Sequence, residues 1–326
     1  MLRMSTLRSA PLALAYWSGI AGHEQRAAAA ARILCFHGTP RNQASQLERQ
    51  LRYLKQQFTI VSFGDLVARL RTRSARVAGL VAVTFDDGLR NNVSIAYPIL
   101  QRLGIEAIFF VCPELTERQA WLWNHEVRQR LRFAGEGLRR ELAKPHGVAC
   151  EVEGFVTWMK TLDFASRRAL EQTLREATPS YAPSAAERHE FDLATWHELR
   201  ALDPSLITIG AHSLTHAILP CLKPDELERE VAQSRHLLEA RLERTAEFFA
   251  YPNGDHNPVV VDCVRRHYTA AAECASGWAW SSCDLHFLPR MVPPHGALRL
   301  ALSLHQDGIA PTGWRRPRAS AAGAPV

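Results

Sequence analysis

Asp86 and Asp87 stand side by side at the end of the apolar run Leu80-Val81-Ala82-Val83-Thr84-Phe85, with Gly88 behind them. Consecutive side chains on a strand point to opposite sides, so one carboxylate can bind a metal while the other faces the reacting centre. His212 and His216 lie four residues apart, directly after a second apolar run at 206–210. A pair at that spacing can chelate one ion from a single turn. One carboxylate and two imidazoles make a three-ligand set with open positions. That set suits zinc or another divalent first-row metal in hydrolysis, and it can also hold ferrous iron. Alone, Asp-Asp-Gly reads as a solvated turn, and a single histidine as a core or surface residue. Their joint occurrence at strand ends is what points to a metal.

Two more apolar runs end in polar residues. Ile33-Leu34-Cys35-Phe36 runs into His37-Gly38, and Phe248-Phe249-Ala250 runs into Tyr251-Pro252-Asn253-Gly254. In a parallel barrel all such ends converge on one face, where active sites form. The elements that would place them there alternate along the chain. Strands are predicted at 32–37, 58–63, 80–85, 105–111, 206–210, 246–251, 268–274 and 287–292. Helices are predicted at 45–55, 63–70, 91–103, 224–242 and 257–267. This alternation defines an α/β chain with a parallel sheet, and seven or eight strands favour a distorted (β/α) barrel. Between 113 and 203 the alternation stops. That stretch reads as a charged helical insertion, about 114–203, forming a lid or small subdomain. The expected division is an N-terminal helical segment (1–30), a barrel (31–305) carrying the insertion, and a disordered Ala/Pro/Arg-rich tail (306–326).

Composition excludes several classes. The chain has 326 residues, 47% apolar and 22% charged, the mix of a soluble globular protein with a sizeable core. Its net charge of +6 is mild and scattered, so no nucleic-acid partner is expected. No apolar run approaches the roughly 18 residues of a membrane span. The seven cysteines are widely spread and form no CxxC pair, which suggests thiols in a reducing compartment. The apolar stretch 10–22 follows Arg3 and Arg8, which leaves export as an alternative. Trp17, Ser18 and Gly19 interrupt it, and no clean cleavage site follows, so an amphipathic helix and a cytoplasmic location are expected. The absence of a GxxxxGK[ST] loop argues against phosphotransfer.

Thr84-Phe85-Asp86-Asp87-Gly88, His212-Ser213-Leu214-Thr215-His216 and Phe249-Ala250-Tyr251-Pro252-Asn253-Gly254 resemble the first three motifs of the polysaccharide deacetylase family. The resemblance covers about residues 31–300 apart from the insertion. It implies a metal-dependent deacetylase on a distorted barrel of about seven strands. Asp87 would be a metal ligand, Asp86 the general base, and His212 and His216 the remaining ligands. The backbone amide of Asn253 would help bind the oxyanion. The metal would be Zn2+ first, with Co2+, Ni2+ or Fe2+ as alternatives.

Two positions depart from the family pattern. Ala250 stands where much of the family has an arginine that orients the base, and Arg290 is the candidate to replace it. The late Leu-x-His motif is matched only by Leu304-His305, which lies in a helical pattern. His37 is therefore the candidate general acid, an order similar to a permuted branch that includes exopolysaccharide deacetylases. Tyr251, Trp121, Trp123, Trp278 and Trp280 can stack on sugar rings or simply fill cores. The expected activity is removal of an acetyl group from an N-acetylated sugar of a glycan or glycolipid precursor, in cell-envelope polysaccharide biosynthesis. Hydrolysis of a non-sugar amide and a catalytically silent carbohydrate-binding barrel are the alternatives.

Overall fold

β-Branched, aromatic and small apolar residues dominate the strands. They are β1 (Ala30–Phe36), β2 (Thr59–Ile60), β3 (Leu80–Phe85), β4 (Ala107–Val111), β5 (Ile207–Ala211), β6 (Phe248–Ala250), β7 (Ala270–Ala272) and β8 (Ala279–Trp280). The structure, a computed structural model, describes residues 30–72 and 76–305. The expected N-terminal helix, the export alternative tied to it and the 306–326 tail lie outside the described residues.

The sheet runs β7-β6-β5-β4-β3-β1-β8, with β2 pairing β3 off this path. Every pair is parallel except β1 with β8, which is antiparallel. The curl closes through residues 288–291, which bridge the two ends of the parallel run. Leu288 pairs with Ala272 on one side and Met291 with Leu34 on the other. The amide of Leu288 donates to the carbonyl of Ala271, and that of Met291 to the carbonyl of Ile33. The molecule is thus the expected distorted (β/α) barrel, but its predicted last strand at 287–292 is two isolated bridges. Pro289, Pro293 and Pro294 explain this, since proline lacks the N–H that a ladder needs. β8 has no counterpart among the expected strands.

Side chains alternate between two cores. Ile33, Ala82, Ile108, Phe110, Phe248, Ala250 and Leu288 fill the barrel interior. Leu34, Val83, Phe85, Phe109, Ile209 and Phe249 face the helices. The flanking helices include Ala44–Gln57 and Pro258–His267, while Phe63, Leu66, Val67 and Leu70 of the helix Phe63–Thr72 pack into the interior cluster. The predicted helix at 224–242 is interrupted by a π turn at Arg229–Gln233, and the one at 91–103 by a π turn at Asn92–Ala96. Such insertions cluster at functional sites.

The expected insertion is helical, with Trp123–Ala143, Val152–Met159, Phe164–Ala177, Ala185–Phe191 and Trp196–Arg200. It has its own apolar core of Trp123, Leu131, Phe155, Met159 and Leu174. That core also takes in Ile218, two residues past His216, and so couples the insertion to the barrel rim. Side-chain caps start three of its helices, Asp163, Ser184 and Thr195, the last two with full capping boxes.

Candidate active site

β3 delivers Asp86 and Asp87 to the barrel rim, and β5 delivers His212. The intervening turns adopt conformations that L-residues seldom take. Asp87, Ser213, His216 and Asn253 all have φ between 55° and 74°. Positive φ at non-glycine residues costs energy and persists where surrounding contacts overdetermine it, typically at functional sites. Gly88 also has φ 67°, and a Cβ there would lie 2.8 Å from Val111 Cγ1. The Asp-Asp-Gly turn is therefore pressed against β4.

Asp87 Oδ1 lies 3.6 Å from His212 Nε2 and 3.5 Å from His216 Nε2, with all three residues buried. His212 Nδ1 sits 2.8 Å from the Ala250 carbonyl, so it must carry the proton and donate. In the neutral ring that leaves Nε2 presenting a lone pair to the carboxylate. Burial, with His212 alongside, pushes His216 down to about 3, so its ring is neutral at pH 7. Lone pairs converging at such spacing repel unless a cation lies between them. The spacing also suits a tetrahedral ion with ligands at about 2.0–2.2 Å. These residues fit a divalent metal, and the anchored His212 has the outer-sphere carbonyl partner that metal-bound histidines favour.

Asp86 is fully buried beside this cluster, with Oδ2 4.0 Å from His212 Nε2. Arg290, also fully buried, reaches it bidentately, Nη1 to Oδ1 at 2.6 Å and Nη2 to Oδ2 at 2.7 Å. Arg290 is itself held by the Glu273 carbonyl and Thr84 Oγ1. Burial opposes ionisation of Asp86, but Arg290 and then His212 outweigh it and hold the carboxyl well below the usual range. Cys35 Sγ adds a contact to Asp86 Oδ2 at 3.3 Å. Arg290 thus meets Asp86 directly, as an orienting arginine would.

His37 follows β1, is exposed, and lies close enough to Asp86 and Asp87 to favour their ionised forms. Asn253 sits in the turn Pro252–Gly254, where its side-chain Oδ1 accepts a 2.7 Å hydrogen bond from Lys160 of the insertion. His305 belongs to the helix Ala297–His305 and not to a strand end. Among the aromatics, Tyr251 is fully buried and donates to the His286 carbonyl, and Trp123 is core. Trp278 stacks under Arg32. Trp121, half-buried, donates to Asp192, and Trp280 is exposed.

Three residues escaped sequence reasoning. Glu230, buried in the π turn, accepts from the amides of Leu214 and Thr215 and from Thr215 Oγ1, which fixes the His212–His216 loop. Asn91 accepts from the Thr39 amide and donates to the carbonyls of His189 and Glu190, which ties the His37 loop to the insertion. His125 of the insertion lies close to Asp87 and His216. Burial holds its imidazole below the ordinary value, against the pull of the Asp87 carboxylate. A lone buried Glu, Asn or His within a helical pattern carries no spacing signal, and only the contacts reveal it.

At the barrel's strand ends two carboxylates and two imidazoles thus gather into one buried candidate metal site. The polysaccharide deacetylase family signature matches residues 74–152 and 157–271, more than half of the chain. The chain belongs to the polysaccharide deacetylase family. No curated protein sequence matches it significantly. Among solved structures it is similar to the Streptococcus pyogenes deacetylase PplD in complex with acetate. That match has TM-score 0.57 and 17% identity, and covers 84% of this chain and 98% of that one. It is also similar to IcaB from Ammonifex degensii, with TM-score 0.56 and 17% identity over 86% and 98% of the two chains. The BpsB deacetylase domain from Bordetella bronchiseptica gives TM-score 0.52 and 14% identity over 81% and 96%. At these identities the likeness concerns the fold.

Proposed function

We propose that this protein is a metal-dependent hydrolase that removes an acetyl group from an N-acetylated sugar of a glycan or glycolipid precursor. The observation that carries this reading is the Asp87–His212–His216 cluster with Asp86 buried beside it on its Arg290 clamp. Asp87, His212 and His216 would hold the metal, Zn2+ first, with Co2+, Ni2+ or Fe2+ as alternatives. Bound there, such an ion would supply Lewis-acid polarisation of the acetyl carbonyl and acidification of the attacking water.

The protein's own residues do the rest. Asp86 takes the proton from the attacking water. Its ion pair with Arg290 favours the ionised carboxylate and fixes its orientation, with Oδ2 4.0 Å from His212 Nε2. The backbone amide of Asn253 faces the developing oxyanion. His37 gives a proton to the leaving amine, which is otherwise a poor leaving group. His37 is exposed at the rim, where an incoming sugar can meet it.

The acid assignment is tested by comparing an amide substrate with an activated acetyl ester, whose leaving group needs no proton. His37→Ala should lose about 10²–10⁴ in turnover on the amide, the worth of a general acid, keep its metal, and be spared on the ester. His305→Ala should behave as wild type. Equal loss on both substrates, or the opposite ranking of the two histidines, removes His37 from the role.

A further inference from the structure

A cavity of about 440 Å³ lies within the insertion and not among the strand ends. Arg118, Arg130, Arg167, Arg168, Arg175 and Arg188 line it, against three carboxylates, Glu126, Glu171 and Asp192. The carboxylates are already committed. Glu126 accepts from both Arg130 and Arg175, at 2.8 and 2.7 Å. Glu171 accepts from Arg167 at 3.2 Å in a pair that is 3% exposed on each side. Asp192 accepts from Trp121 Nε1. Arg118 pairs with Glu114 outside the cavity.

Arg168 and Arg188 are exposed, and among the described residues neither has a carboxylate within ion-pair distance. Arg167 is locked over the Trp123 ring, 4.8 Å from its centroid, so one wall is a rigid cationic and aromatic surface. Trp121 and Tyr181 add further aromatic lining. Thr215, the residue before His216, forms part of the wall. A ligand seated here is therefore a neighbour of the metal-binding loop.

We propose that this cavity is an anion subsite that takes the phosphate group of a phosphorylated N-acetyl sugar, with the acetamide directed to the strand-end site. Arg168 and Arg188 supply the free guanidinium groups, which match phosphate oxygens in planar, bidentate geometry. The aromatic rings cover the sugar faces. A volume of a few hundred Å³ accommodates one sugar phosphate. This inference rests on the deacetylase reading for the direction of the acetamide, but phosphate recognition stands without it.

The test is calorimetric titration of the full-length, metal-loaded protein with N-acetylglucosamine and with N-acetylglucosamine 1-phosphate. The phosphorylated sugar should bind at least about 10-fold more tightly, the value of one charge-assisted contact. Arg168→Gln/Arg188→Gln should reduce that preference to about 2-fold or less, with an unchanged melting temperature because both side chains are exposed. Rising salt should weaken the phosphate preference in the wild type. No preference in the wild type overturns the proposal. So does a preference that survives in the double variant, since the anion then sits elsewhere, as on the metal. Acetate release is followed in parallel. If neither sugar releases acetate while the arginine-dependent preference holds, the deacetylase reading fails and the subsite stands.

Discussion

The strand-end site and the insertion both carry many charges, but they hold them differently. At the barrel rim the Asp86–Arg290 pair is 1% and 0% exposed, and its arginine is fixed by further hydrogen bonds. In the insertion one pair, Arg167 with Glu171, is buried in the same way, but on its outer surface Arg128 and Glu153 pair at 25% and 62% exposure, and Arg140 pairs with Glu136 one helical turn away, both well exposed. Buried charge is costly to leave unpaired, so the rim tolerates one arrangement. Exposed pairs contribute little to stability and can rearrange around a ligand. The difference separates a rim whose charges are held in one arrangement from an insertion surface whose exposed pairs are free to rearrange.

The sharpest way to break this comparison is to remove a metal ligand. His212→Ala should lose most of the metal and nearly all activity, because two remaining protein ligands hold a labile ion. Asp87→Asn should likewise weaken metal binding. Asp86→Asn should keep the metal and cost about 10²–10⁴ in turnover. Elemental analysis beside a turnover assay separates the two classes. Metal loss that follows Asp86 and not Asp87 would exchange their roles.

Next in size is the buried clamp. Arg290→Met leaves Asp86 buried at the rim without its cationic partner, which should cost about 3–5 kcal/mol of stability. Arg290→Met combined with Asp86→Asn should recover much of that, since the uncompensated charge is gone. Arg128→Ala in the insertion should cost no more than about 1 kcal/mol. Urea unfolding of the variants measures all three. An Arg128 effect as large as that of Arg290 would erase the distinction between the two regions.

The rim should also show itself in the pH dependence of the metal-free protein. His216 is depressed in the folded state to about 3 from an ordinary value of 6.5. The unfolded chain therefore binds its proton first as pH falls. The stability contributed by the neutral ring is complete above about pH 6.5 and declines below it by up to about 1.4 kcal/mol per pH unit, until pH reaches about 3. His216→Gln should flatten this slope in a thermal or urea series run from pH 7 to 4. A slope unchanged by that substitution assigns the acid sensitivity to other groups.

How far the sequence can be read follows the same division. β3 is legible because its apolar run is continuous and buried on both faces, and the motif at its end marks where it stops. That Asp86, Asp87, His212 and His216 gather is legible for the same reason, as polar groups placed directly after such runs. Arg290 reads only as a replacement candidate, because its partner lies 204 residues away and only the closing segment 288–291 brings them together. An ordinary strand is expected in that segment, since its apolar residues outweigh its prolines. Glu230 stays hidden because a π turn changes which face of its helix it occupies. His125 stays hidden because its role depends on how the insertion docks, which no local pattern encodes.

The smallest effect is expected where the two regions touch. Lys160 closes the helix Val152–Met159 of the insertion, and its ammonium donates to Asn253 Oδ1 at 2.7 Å. Asn253 stands at φ 55° in the turn Pro252–Gly254, the turn whose amide is proposed to bind the oxyanion. The hydrogen bond therefore steadies a strained turn from outside the barrel. Burial also lowers the Lys160 ammonium from its ordinary value, with Asp255 partly restoring it. Lys160→Met keeps the length of the stem and removes the donor. If the insertion only supports the rim, turnover should fall by about 3- to 10-fold, the value of one partly exposed hydrogen bond, with the metal retained. Lys160→Arg, which can still donate, should recover most of the loss. A fall of about 100-fold or more, unrelieved by arginine, would place the ammonium in the reaction itself and make the insertion part of the catalytic machinery.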